Sequence, residues 1–211
     1  MRGYPWQSKV GQCNSRQLLL PYPRAGDRRD DREGYDKSVK FLEERVDAAM
    51  SKHGLPSEKV IIGGFSQGAA VALLAALRSN RKLGGAVILS GWGALRGDWP
   101  ALLGKKGAEG AEGAEGAKGA VAVAAAAGGA ATASGAAGEQ PGALARVLPL
   151  FWGHGTQDNV VQYSLGKANA AELRGVYSLD KLEWRDYPVA HGTHPREMQD
   201  IGRFLRARIC D

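Results

Sequence analysis

A chain of 211 residues that is 44% hydrophobic has the apolar material for the core of one domain, and this excludes a fully disordered chain. The net charge of +6 is no nucleic-acid footprint: Arg28, Arg29 and Arg32 alternate with Asp27, Asp30, Asp31 and Glu33 without an aromatic stripe, so a solvated basic surface, weakly attracted to anionic membrane, is expected. No apolar run outside an alanine tract could span a bilayer, Met1 to Val10 lacks a signal-peptide pattern, and Cys13 and Cys210 lack metal-like spacing, so free thiols of a reducing compartment are expected, with cytoplasm the default and organellar import left open by the arginine-rich first thirty residues.

Residues 1–30 show no strand or helix period and read as an irregular extension. From Tyr35 the spacing changes. Tyr35, Val39, Leu42, Val46 and Ala49 recur at three or four residues with charges between them, which predicts an amphipathic helix on a core, ended by Gly54 and Pro56. The β-branched run Lys59 to Phe65 predicts a strand covered on both faces, and Gln67 to Leu77, built of small and apolar residues, predicts a buried helix. Further strands are expected at Gly85 to Gly91, Val147 to Gly153 and Lys181 to Tyr187, with helices at Val160 to Leu173 and Pro195 to Ala207. Alternation of this kind implies βαβ units and a mainly parallel sheet with helices on both faces. The domain so read covers residues 31–211 and is interrupted at 104–142, where Gly-Ala-Glu repeats and an alanine tract predict a disordered surface insertion. Proline is absent from the repeat, which excludes collagen.

Gly64-Phe-Ser66-Gln-Gly68 is a G-x-S-x-G element between a predicted strand and a predicted helix, the setting of the nucleophile elbow of α/β-hydrolases. The glycines are expected to make room for a cramped turn, and the helix start to place a backbone N–H beside the reacting oxygen. A serine hydroxyl needs a base, and the base needs a carboxylate, in the chain order acid then histidine, each after a strand. Asp158 and His191 satisfy that order. The duller readings are that Ser66 merely caps the helix, that Asp158 caps the next one, and that His191 is a loop histidine. His194 beside Pro195 competes with His191 but suits a helix start. His154 reads as a loop-packing residue and His53 as a helix-end cation.

These segments together resemble the acyl-protein thioesterase, or phospholipase/carboxylesterase, family of small α/β-hydrolases. The resemblance lies in Asp31-Arg-Glu-Gly34, Gly63-Gly-Phe-Ser-Gln-Gly68, Leu89-Ser-Gly-Trp92, Gly153-His-Gly-Thr-Gln-Asp158-Asn-Val-Val161 and His191-Gly-Thr-His-Pro-Arg-Glu-Met198. It implies Ser66 as nucleophile, Asp158 as acid and His191 as base, because the family histidine precedes a Glu-Met pair by six residues. It also implies the Gln67 backbone N–H as an oxyanion donor and Leu89 and Trp92 at the acyl pocket, with no cofactor or metal. The implied substrates are S-acylated proteins, lysophospholipids or small acyl esters, with peripheral membrane contact. No counterpart of the family's His-Gly-Leu-Gly-Asp-like loop precedes Asp31. An N-terminally incomplete sheet, an oxyanion hole short of its second N–H and reduced activity are therefore expected. A non-catalytic binding or scaffold protein and an amidase are the competing readings.

Overall fold

The computed structural model describes residues 31–104 and 143–209. The readings of the extension at 1–30, of the insertion over 105–142, and of Cys13 and Cys210 lie outside the described residues.

Among the described residues four strands, β1 (Ile61–Phe65), β2 (Gly85–Leu89), β3 (Leu150–Gly155) and β4 (Leu182–Tyr187), form one parallel sheet in that order. Their registers run from Ile61 against Gly85 to Phe65 against Leu89, and from Leu150 against Leu182 to Gly155 against Tyr187. The carboxyl ends of all four strands therefore face one rim, where open parallel sheets bind ligands. The helices are α1 (Arg32–His53), α2 (Gln67–Arg78), α3 (Trp99–Leu103), α4 (Ala143–Val147), α5 (Tyr163–Gly175) and α6 (Pro195–Ile209).

Helices pack on both faces of the sheet, and the side chains sort by the strand period of two, but β1 leaves Gly63 and Phe65 exposed, so the two-sided cover expected for the run Lys59 to Phe65 is not found along that strand. Ala86, Ile88, Leu150, Trp152 and Leu182 join a core with Tyr35, Val39 and Val46 of α1, the buried face of α2, Trp99 and Leu103 of α3, and Ala170 and Leu173 of α5. Val87 and Phe151, the alternate residues, point the other way and pack with Tyr187 and with Phe204 of α6. Continuous apolar runs in β2 and β3 are what two-sided coverage requires. Helix α2 can lie close on the sheet because Ala69, Ala70 and Ala72, each fully buried, hold it off by no more than a methyl group.

The expected elements are all present, with shifted ends. The third strand is a correction. Val147, read as its first residue, ends α4 and is exposed. The ladder starts only at the Pro149 carbonyl, which accepts the Ala86 N–H at 2.9 Å, because proline has no N–H of its own to pair. At the other end β3 continues through His154 and Gly155, which pair with Asp186 and Tyr187 of β4. His154 is thus a strand residue, fully buried, and not the loop residue expected. The α3 helix and the turn of 3₁₀ helix before it, Arg96–Asp98, have no periodicity that the sequence reading could use.

The turn carrying Asp98 is tied to α1 and α2 by guanidinium groups. Arg32 holds the Asp98 carboxylate in a fork at 2.7 Å on each oxygen, and Arg78 reaches it at 3.1 Å and Asp36 at 2.7 Å. Hydrogen bonding from Arg32 lowers the Asp98 pKa below its ordinary value of 3.8; burial opposes this and Arg78 assists it. A carboxylate with a depressed folded-state pKa contributes stability above its unfolded value, and that stability is lost as pH falls through the folded value. Asp98→Asn is accordingly expected to cost about 1 kcal/mol near neutral pH. In urea denaturation the difference from wild type should shrink progressively below pH 3.8.

Candidate active site

Ser66 sits between β1 and α2 with φ 55° and ψ −121°, a conformation disfavoured for any residue with a Cβ. Two backbone contacts hold it there. Its N–H donates to the Leu89 carbonyl at 2.9 Å, and its own carbonyl accepts the N–H groups of Ala69 and Ala70 at 3.0 and 3.2 Å. The hydroxyl makes no helix-capping hydrogen bond, so the duller reading of Ser66 as a side-chain cap does not describe it. Its Oγ instead lies 3.0 Å from His191 Nε2.

The two glycines of the element play different parts. A Cβ on Gly64 would overlap the carbonyl carbon and oxygen of Gly68 and come within 2.7 Å of the Ala69 nitrogen. A Cβ on Gly68 would meet nothing within 4 Å. Only Gly64 is demanded by sterics, which corrects the expectation that both flanks are crowded: the strand passes so close to the first turn of α2 that it is the strand residue that must lack a side chain.

Asp158 lies three residues past β3, with its side chain fully buried. One oxygen, Oδ1, accepts the N–H groups of Val160 and Val161, both at 2.9 Å. The other, Oδ2, accepts from His191 Nδ1 at 2.8 Å. Helix α5 begins only at Tyr163 after Gln162, so Asp158 orders the turn at 160–161 and is not the cap of that helix. Because an ionised carboxylate only accepts, Nδ1 of His191 carries its proton toward Asp158, and Nε2 is left with a lone pair facing the Ser66 hydroxyl.

His191 reaches this position through the loop after β4. That loop is zipped to the one after β3: Thr156 N–H donates to the Tyr187 carbonyl at 2.8 Å and Gln157 N–H to the Val189 carbonyl at 3.1 Å. A Cβ on Gly155 would overlap the carbonyls of Val189 and Ala190, so glycine there permits the close pass. The imidazole also rests on the ring of Phe65, centroids 4.8 Å apart, and its side chain remains 18% exposed.

The competing histidines have other duties. His194 caps α6: its Nδ1 accepts the Arg196 N–H at 3.1 Å, its own N–H donates to Glu197 Oε2 at 3.2 Å, and its ring stacks on Tyr187. This is a capping box with histidine in the serine position. Burial pushes the Glu197 carboxyl pKa up, against the bond from His194. His53 ends α1 beside Gly54, whose φ is +61°. Gln67 is the first residue of α2, at its N-terminal end. Leu89 and Trp92, expected at an acyl pocket, are half-buried: Leu89 packs on the Val87, Phe151 and Tyr187 cluster and Trp92 on the main core. Among the described residues no group of three or more His, Cys, Asp or Glu could hold a metal, and no described helix is long and apolar enough to cross a membrane.

Sequence reasoning missed Phe65 as the platform under the imidazole, the Leu89 carbonyl as the anchor of the elbow, and the Val160 and Val161 amides on Asp158. Phe65 was legible as the residue before the serine. The backbone groups were not, because main-chain atoms carry no residue signature.

The pattern of the family described as Phospholipase/Carboxylesterase matches residues 22–107 and 116–209. The chain is 28% identical over 178 residues to acyl-protein thioesterase 1 of Debaryomyces hansenii, covering 84% of this chain and 60% of that protein. It is 30% identical over 174 residues to acyl-protein thioesterase 1 of Candida albicans, covering 82% and 60%. It thus spans about three fifths of the length of these curated relatives. In fold it is similar to the crystal structure of Zea mays acyl-protein thioesterase 2, with a TM-score of 0.62 at 23% identity over 89% of this chain and 70% of that one.

Proposed function

The chain belongs to the phospholipase/carboxylesterase family, and we propose that it is a serine hydrolase that cleaves acyl thioesters or carboxylic esters through an acyl-enzyme. The observation that carries this reading is the continuous relay from Ser66 Oγ to His191 Nε2 at 3.0 Å and from His191 Nδ1 to Asp158 Oδ2 at 2.8 Å. In it Ser66 is the nucleophile, His191 the general base and Asp158 the carboxylate that orients and stabilises the imidazolium.

The Ser66 oxygen attacks the acyl carbonyl as His191 Nε2 takes its proton, and a tetrahedral oxyanion forms. The Gln67 backbone N–H, at the positive end of α2, is the donor assigned to that oxyanion. The carbon–sulfur or carbon–oxygen bond of the substrate then breaks, and His191 returns the proton to the departing thiol or alcohol. Water deprotonated by His191 attacks the acyl-Ser66 ester, and the free acid leaves as Ser66 regains its proton. Similarity to proteins named acyl-protein thioesterase favours S-acylated proteins as substrates, with lysophospholipids and small acyl esters as alternatives. A cytoplasmic location and peripheral contact with membrane are part of the proposal and do not rest on that similarity. Leu89 and Trp92 are assigned to the acyl side of the site.

Incubation with a fluorophosphonate probe tests the reading. Covalent labelling at Ser66 that disappears after heat denaturation is the expected result. Absence of labelling in the folded protein would identify a non-catalytic binding or scaffold relative instead. Parallel assays of a thioester, a lysolipid and an amide then separate the substrate classes.

A further inference from the structure

One buried titratable side chain near the relay has no part in the reaction just described. His154 of β3 is wholly buried, its ring stacked on Trp184 of β4 with centroids 5.7 Å apart and planes 21° apart, and set edge-on to Tyr163 of α5. A Cβ on Gly166 of α5 would come within 2.5 Å of His154 Nδ1, so the helix backbone closes a third side. The ring is therefore fixed in orientation.

Its Nε2 lies 2.9 Å from the Val161 carbonyl oxygen. A carbonyl can only accept, so Nε2 carries the hydrogen. Burial lowers the His154 pKa, outweighing the Val161 hydrogen bond and Asp158. The titratable groups facing it are Asp158 from the turn after β3, Tyr163 from α5 and His191 from the loop after β4. Neutral imidazole then leaves Nδ1 as an acceptor, and Nδ1 is buried without a hydrogen-bond partner. A phenyl ring would fill the same stack without burying that nitrogen, so packing alone does not account for histidine here.

What histidine adds is the Nε2–H. It holds the carbonyl of Val161, the residue whose own N–H donates to Asp158 Oδ1. It also lies 3.6 Å from Asp158 Oδ2, too far for a hydrogen bond but with its positive edge toward the oxygen that grips His191. We infer that His154 is a positioning residue for Asp158: by pinning the 158–161 turn, its Nε2–H keeps the carboxylate aimed at His191. This rests on the proposed triad, since without that chemistry the aim of Asp158 has no consequence for rate.

The test uses the full chain with a short p-nitrophenyl ester. His154→Phe keeps the ring stack and removes the N–H; a tenfold to hundredfold fall in kcat with KM within about twofold is expected, because misplacing a catalytic group by about 1 Å costs on that scale. The low-field proton resonance of His191 Nδ1–H should weaken or move in the same variant. His154→Gln, whose amide can donate to the Val161 carbonyl, should recover kcat to within about threefold of wild type. Turnover and resonance unchanged in His154→Phe, alongside an inactive Ser66→Ala, would overturn the inference and leave His154 as packing only. Full activity of Ser66→Ala would instead remove the triad reading, and the positioning role with it. If His154→Phe does not fold, His154→Met replaces it as the donor-free partner of His154→Gln, and equal kcat in those two overturns the inference.

Discussion

Ser66→Ala is expected to lower ester or thioester turnover by about three orders of magnitude or more, the scale on which serine hydrolases lose activity with their nucleophile. The size follows from the absence of a substitute: the Oγ atom is the group placed 3.0 Å from His191 Nε2 and otherwise makes no capping bond. The fold should be indifferent to the change, because the elbow is held by main-chain bonds, donated to the Leu89 carbonyl and accepted from Ala69 and Ala70, that alanine retains. Thermal unfolding within about 1 °C of wild type should therefore accompany the loss, in keeping with a substitution that perturbs no packed group. His191→Ala should be of similar severity, and the double variant no slower than either single one, because the relay acts as a unit. Equal steady-state rates for wild type and Ser66→Ala would sink the hydrolase assignment.

Gly64→Ala carries the largest expected effect on stability, a loss of about 3 kcal/mol or more, as for other backbone collisions that side-chain movement cannot relieve. The new methyl group would collide with the Gly68 carbonyl and crowd the Ala69 nitrogen, all main-chain atoms of the first turn of α2. Relief requires α2 to withdraw from β1, and with it the Ser66 backbone whose carbonyl starts that helix. Urea denaturation should register the destabilisation, and fluorophosphonate labelling should fall even in whatever fraction stays folded. Gly68→Ala is the control. Its methyl group meets open space, so stability should stay within about 1 kcal/mol of wild type and move upward if at all, since alanine is the better helix former. Similar losses at both positions would show that the two ends of the elbow are equally tight, contrary to the geometry.

Much of the fold was legible because apolar residues repeat with the period of the element that buries them. Tyr35, Val39 and Val46 mark the buried stripe of α1, and all three are buried. The strands announced themselves as short runs between helices, although β1 lacks the two-sided cover that its β-branched run implied, and Ser66, Asp158 and His191 could be placed after β1, β3 and β4 because a parallel sheet brings its strand ends to one rim. Boundaries were less legible. Val147 to Leu150 reads as one apolar run, yet helix α4, a proline and a strand share it, because hydropathy does not reveal where the hydrogen-bond ladder begins.

Residue order and type determined by themselves that a serine would stand at a strand-to-helix corner, with a carboxylate and an imidazole supplied later along the chain. The register of the resemblance already preferred His191 to His194, and the tertiary structure turns His191 toward Ser66 and uses His194 to cap α6. It also moved His154 from a loop into the buried sheet, and it showed that Gly64 and not Gly68 is the sterically required glycine. The physical reason is the same in each case. Periodicity reports which face of an element is dry, whereas the path of a loop and the approach of two backbones depend on contacts between residues far apart in the chain.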